Sequence, residues 1–258
     1  MRYFLELSYN GAPFHGWQSQ PNASSVQDTI EEALSKLLGK VSITGAGRTD
    51  TGVNARKMYA HFDSADVITE IPRFLKSVNS LVGPFIDIRK IIPVSDEAHA
   101  RFDAFSRTYK YFISYTKNPF LKDFYYFSYR PLDVGLMNQA AKILLDTKDF
   151  TSFAKLHSDA KTNICNVTKA EWTGIKEDPE AFDFIGSLQD GIVFTITADR
   201  FLRNMVRAIV GTLVEVGNHK IPLEEFNDII YKKNRCAAGT SVPGNALFLW
   251  DVKYSYID

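Results

Sequence analysis

The residue most able to do chemistry in this chain is Asp50, inside the stretch Gly47-Arg48-Thr49-Asp50-Thr51-Gly52-Val53. A carboxylate in a glycine-flanked turn can act as a nucleophile, as a general base, or as an Asx-type brace that bonds nearby backbone groups. Gly45-Ala46-Gly47 after a strand would open a dinucleotide fingerprint, but its sixth position is Asp50, and a carboxylate there repels a pyrophosphate. Asp50-Thr51-Gly52 also spells the aspartic-protease tripeptide. That chemistry needs two carboxylates sharing a proton, and the chain holds one such tripeptide. Arg48, two positions earlier, favours an ionised Asp50 if the two lie close.

Two further positions carry chemical potential. Arg207 sits in the apolar run Met205-Val206-Arg207-Ala208-Ile209-Val210, where an unpaired guanidinium is costly, so a carboxylate partner is expected unless the side chain snorkels to solvent. Tyr109 and Tyr111 share one face of a strand, either as core aromatics or as a platform for a planar ligand. Cys165 and Cys236 stand far apart without ligand spacing, so a zinc site and a disulfide framework are not signalled, and two buried thiols are expected.

These residues need elements to hold them. Residues 2–9 alternate as a strand, and 26–38 form an amphipathic helix with Ser24 and Gln27 as a capping box and Gly39 as its stop. A short strand over 41–44 enters the Asp50 loop and another over 58–62 leaves it. A helix opening at Pro72 and a strand over 85–92 follow. Near residue 105 the pattern restarts: a strand over 108–116, a helix over 134–145 capped by Asp133, and strands near 166–175, 181–188 and 192–198, the last two joined at Asp190-Gly191. Helices over 203–216 and 222–233 precede a final strand over 247–257. The aromatic run Phe120–Tyr129 has no period and reads as core or interface filling.

This order implies an α+β fold of two halves, 1–104 and 105–258, each with a mostly antiparallel mixed sheet flanked by helices, with a cleft between them. The chain has 258 residues and zero formal net charge, so an anionic partner must be met by local basic clusters: Arg48, Arg56 and Lys57; Arg101, Arg107 and Lys110; Arg200, Arg203 and Arg207. Glu6 lies too early for a signal peptide, and no segment approaches the roughly 18 apolar residues of a membrane span, so a cytoplasmic protein is expected.

Several ordered segments resemble the tRNA pseudouridine synthases of the TruA family. Gly47 to Val53 matches their signature loop, with Asp50 in the catalytic place. Tyr9, Gly11, Phe14, Gly16-Trp17-Gln18 and Gln20 match the N-terminal pattern, and Val26-Gln27 the start of its helix. His99-Ala100-Arg101-Phe102, Arg107-Thr108-Tyr109-Lys110-Tyr111, Asp149-Phe150-Thr151-Ser152-Phe153 and Asn204-Met205-Val206-Arg207 through Gly211 match the later motifs.

The resemblance implies the pseudouridine synthase fold and a cofactor-free, metal-free isomerisation of uridine to pseudouridine at positions 38, 39 and 40 of the tRNA anticodon arm, by a homodimer. It implies Asp50 as nucleophile or base, Arg207 as its ion partner, Tyr109 as the residue stacked on the flipped base, and Arg48 as a contact to that nucleotide. Tyr111 is left to the core; Trp17, Phe14 and Gln18 receive no catalytic role. A catalytically silent RNA-binding module is the leading alternative, an aspartic-type hydrolase a distant one. Asn54, Arg56, Lys57 and Met58 depart from the family pattern after Val53, as do Ser241-Val242 and Ala246 to Leu249 near the C-terminus, which bears on the choice of target.

Overall fold

The computed structural model describes residues 1–155 and 161–257. In chain order the elements are β1 (Arg2–Tyr9), α1 (Val26–Leu38), β2 (Ile43–Gly45), β3 (Asn54–Asp63), α2 (Ile71–Leu81) and β4 (Ile86–Val94). Then come β5 (Ser106–Ser114), β6 (Tyr126–Phe127), α3 (Val134–Asp146), β7 (Val167–Gly174), α4 (Pro179–Ile185), β8 (Ile192–Ala198), α5 (Met205–Gly217), α6 (Leu223–Lys232) and β9 (Leu247–Lys253). Among the described residues no helix is long and apolar enough to cross a membrane.

The chain separates into two compact units, 1–106 with 248–258, and 107–247. The first is a sheet in the order β4-β1-β3-β9, with β2 also on β3. β1 runs antiparallel to both neighbours, pairing Leu5 with Ala60 of β3 and with Ile91 of β4, while β9 joins β3 in parallel through Asn54↔Phe248. The alternation of β1 sends Tyr3, Leu5 and Leu7 to one face, where they are buried. Helices α1 and α2 pack against one another, α1 also meeting β2 and α2 meeting β4. α1 starts one residue later than the capping box suggests: Ser25 accepts the Asp28 N–H at 3.0 Å and donates its hydroxyl to the Asp28 carboxylate at 2.6 Å. Gln27 turns instead to Glu31 and the Ile43 carbonyl, tying the helix to β2.

In the second unit β8 is central, antiparallel to β5 and β7, and β6 adds in parallel to β5. α3 lies on β7 and meets α5 and α6. Asp133 caps α3 as expected, accepting from Leu136 N–H at 2.9 Å. One expectation fails. Residues 179–185 are helix α4, not a strand, so the Asp190-Gly191 hairpin does not form and β7 pairs with β8 across the longer excursion. The reason lies at the start of the segment: Pro179 suits a first helical turn, and the Asp178 carboxylate accepts the Ala181 N–H at 3.0 Å. The final strand groups with the first unit, and its N-terminal end pairs with β3.

Candidate active site

Asp50 sits on the connection from β2 to β3, and that connection is held from outside itself. Its carbonyl accepts the Val53 N–H at 3.1 Å, closing a turn in which Gly52 takes φ +75°. A positive φ at the third position of such a turn favours glycine, which accounts for Asp50-Thr51-Gly52 as a spelling. The loop between β1 and α1 lies directly beneath. Trp17 N–H donates to the Thr49 carbonyl at 3.2 Å, and Gly52 N–H to the Phe14 carbonyl at 3.4 Å. Inside, the Tyr9 and Thr49 hydroxyls bond at 2.9 Å in a buried setting. Gly16 has φ +98°, and a Cβ there would stand 2.5 Å from the Thr49 carbonyl oxygen; a Cβ on Gly11 would overlap the Val53 carbonyl. Only backbones without side chains approach this closely.

Asp50 itself is half-buried and Arg48 exposed. The carboxylate is thus carried on a turn whose backbone is fixed by main-chain bonds. It is therefore suited to act on a bound substrate as nucleophile or base. Trp17 and Phe14 are buried, so the packing role expected of them holds, while Gln18 is exposed. What the sequence reading missed is that the segment from Tyr9 to Trp17 is the seat of the Asp50 loop. The pair Gly11 and Gly16 was the available signal.

The four departures after Val53 all have partners in this unit. Asn54 is buried, and its amide oxygen accepts the Gly11 N–H at 2.7 Å, bracing the seat. Arg56 stacks 4.6 Å from the Trp250 ring centroid. Lys57 pairs with Asp251 at 3.4 Å and stands over Tyr59, and Met58 is fully buried, its sulfur 3.6 Å from the Tyr9 hydroxyl.

The other two expected site residues belong to the second unit. Tyr109 is opposite Ile196 in the ladder, 9% exposed, and meets Phe201 edge-on at 5.1 Å. Tyr111 is fully buried and donates its hydroxyl to the Pro243 carbonyl at 3.3 Å, as befits a core residue; burial pushes its phenol well above the ordinary tyrosine value. Lys110, between them, drops out of the expected basic cluster. It is buried against Asp178 at 2.8 and 2.6 Å and Glu180 at 3.3 Å. Burial alone would raise the Asp178 carboxyl, but the Lys110 ammonium and the Ala181 N–H together override it and hold the group below its usual range.

Arg207, half-buried on α5, donates Nε–H to the Val242 carbonyl at 2.7 Å, and its own carbonyl accepts the Val242 N–H at 3.2 Å. This reciprocal pair ties Val242, one of the departures near the C-terminus, to α5. Ser241 completes the segment, accepting from Asn204 at 2.7 Å and Arg235 at 2.8 Å. Cys165 is buried, which pushes its thiol up to about 12; Cys236 is exposed, against expectation, in the short turn after α6.

Comparison with known proteins now decides the family. A family model described as tRNA pseudouridine synthase matches residues 140–255. The chain is 50% identical over 254 residues to a protein named tRNA pseudouridine synthase A from Bacteroides thetaiotaomicron, covering 98% of this chain and 90% of that one. The chain belongs to the tRNA pseudouridine synthase family. A tRNA pseudouridine synthase A from Parabacteroides distasonis is 52% identical over 256 residues, covering 98% and 96% of the two chains. The protein of that name from Bacillus subtilis is 36% identical over 262 residues, covering 98% and 99%. Similarity at this level over nearly the full length makes the chain a pseudouridine synthase throughout, not a borrowed tripeptide.

Proposed function

We propose that this chain is an isomerase that converts uridine to pseudouridine at positions 38, 39 and 40 of the tRNA anticodon arm, with Asp50 as the catalytic carboxylate. The observation that carries the reading is a half-buried carboxylate on a turn clamped by three backbone hydrogen bonds, in a chain half-identical to proteins named tRNA pseudouridine synthase A. In the reaction the N1–C1′ bond breaks, the base turns, C5 bonds to C1′, C5 loses its proton and N1 gains one. Electrons balance within the nucleoside, so no redox partner enters.

Asp50 either attacks C1′ or removes the C2′ proton, and both routes require it ionised. Arg207 is proposed as the cation that keeps it so, and Arg48 as a contact to the nucleotide. Extruding a base costs a few kcal/mol, and stacking returns about 1–3 kcal/mol, which is the part proposed for Tyr109. The enzyme is proposed to act as a homodimer in the cytoplasm, where tRNA matures. Equilibrium sedimentation at the monomer mass would remove the dimer from this reading.

The test is Asp50→Asn in the full-length protein, with pseudouridine counted by mass spectrometry of digested tRNA. Loss of more than about a thousandfold in rate is expected, in the range of a lost acid-base or nucleophilic group, with tRNA affinity nearly unchanged. Undiminished pseudouridine would remove Asp50 from the chemistry. An unmodified protein inactive on every tRNA would point instead to an RNA-binding module.

A further inference from the structure

The aromatic run after β5 buries Tyr125 but leaves two of its rings outside the core. Phe120 is 93% exposed and Tyr129 83% exposed, although the loop that carries them is well built. Asn118 accepts the Phe120 N–H through its side chain at 3.0 Å, while its own N–H and carbonyl both bond the Tyr125 hydroxyl. Asn245 donates to the Lys122 carbonyl at 3.3 Å, anchoring the loop from a distant segment. Ser128 is held to the Ser114 carbonyl at 3.0 Å and bonds the Arg130 carbonyl through its hydroxyl at 2.7 Å, so Tyr129 is presented between two fixed points.

Around these rings the charge is one-sided. Lys117 stands 5.2 Å from the Phe127 ring centroid and 5.6 Å from that of Tyr129, and the two rings meet at 4.7 Å. Arg130 follows and is exposed; Lys122 is balanced by Asp123 at 3.4 Å. The result is an ordered aromatic surface with two cations that form no ion pair among the described residues, in a chain whose overall net charge is zero. Exposed apolar rings with a polar rim mark an interaction site. A symmetric contact between two copies would bring this basic patch onto the same patch of the other copy, cation near cation. A polyanion with planar groups meets both features at once, cations on phosphates and rings on bases.

We propose that Lys117, Phe127, Tyr129 and Arg130 form a second tRNA contact, separate from Asp50, in which a base lies on Tyr129 and the adjoining phosphates meet Lys117 and Arg130. This rests on tRNA being the substrate. The experiment measures the dissociation constant of unmodified tRNA transcript across a salt series for the full-length protein and three variants. Tyr129→Ala is expected to weaken binding about tenfold, within the range of one lost base stack, and Tyr129→Phe to stay within about twofold. The double variant Lys117→Ala with Arg130→Ala is expected to reduce the slope of log affinity against log salt by about 1.5, the effect of two released phosphate contacts.

Pseudouridine formation at saturating tRNA is followed alongside, and should keep its maximal rate in all three variants. Affinities and salt slopes equal to the unmodified protein would overturn the proposal. So would a Tyr129→Ala protein that sediments as a smaller species while binding tRNA as before, since the surface would then join two copies. Failure of the functional reading would show differently, as absent pseudouridine in the unmodified protein whatever the binding curves do.

Discussion

Asp50 is held by a carbonyl that accepts from Val53 and by neighbours that bond its loop, so exchanging its carboxylate for an amide leaves every one of those main-chain bonds in place. Asp50→Asn is therefore expected to test the proposed chemistry with the loop intact. The seat beneath it can be probed in the same way. Tyr9→Phe removes the buried hydroxyl that meets Thr49 at 2.9 Å and should cost about 1 kcal/mol of stability. If the seat positions the carboxylate, maximal rate should fall more than the Michaelis constant rises; a variant with equal losses in both would make the bond merely structural. Gly16→Ala is harsher, since φ +98° and the Thr49 carbonyl 2.5 Å away oppose any Cβ; a loss of roughly 2–3 kcal/mol in urea unfolding is expected. The Asp50 loop is legible as a motif because its residues are contiguous. The Tyr9 hydroxyl is not, because its partner lies 40 residues away and nothing in either residue's local pattern announces the other.

At the scale of elements, the loop carrying His99-Ala100-Arg101-Phe102 is tied to the sheet by side chains that titrate. His61 is buried on β3, and its Nδ1 accepts the Ala100 N–H at 3.1 Å; His99 Nδ1 accepts from Arg101 at 3.1 Å. Tyr254 donates to the Ala100 carbonyl, Arg2 to the Ala98 carbonyl, and Asp103 receives both the His99 N–H and the Tyr256 hydroxyl. Burial, reinforced by Arg2 and His99 and opposed by Asp63 and Asp103, pulls His61 from 6.5 down to about 4. Between those values the unfolded chain takes up a proton that the folded one refuses, so this contribution is fully present above about pH 6.5 and is lost as pH falls toward 4. Burial lowers His99 as well, in the same direction. Unfolding free energy should therefore drop by roughly 2 kcal/mol between pH 7 and pH 5, and His61→Asn should flatten most of that slope. An unflattened slope would locate the titration elsewhere. Element type itself was readable wherever a period ran long enough, as in α1, α3 and β1. It failed at 179–185, where a short apolar alternation hid a helix whose start depends on Asp178, itself held by Lys110 from 68 residues away.

Over the whole molecule, the chain leaves the first unit after Ser106 and returns to it at Phe248. Strand periodicity at the C-terminus is plain in the sequence, but alternation says nothing about which strand will be the partner, and β9 pairs with β3 of the first unit. The consequence is testable. Phe248, Leu249, Trp250, Val252 and Tyr254 are all buried, Arg56 lies on Trp250, and the Lys253 carbonyl accepts the Phe105 N–H at 3.1 Å. Each large apolar side chain is worth about 1.5–3 kcal/mol when buried, so five together approach the entire 5–15 kcal/mol stability of an ordinary domain. A chain ending at Leu247 should thus be unable to fold its first unit, although it keeps the whole contiguous stretch from Met1 to Ser106. Limited proteolysis should degrade that stretch while sparing residues 107–247, and pseudouridine formation should vanish because the seat of Asp50 is gone. Protection of 1–106 equal to that in the full-length protein would show instead that β1, β3 and β4 with their helices suffice, and that β9 is an addition to an already stable unit.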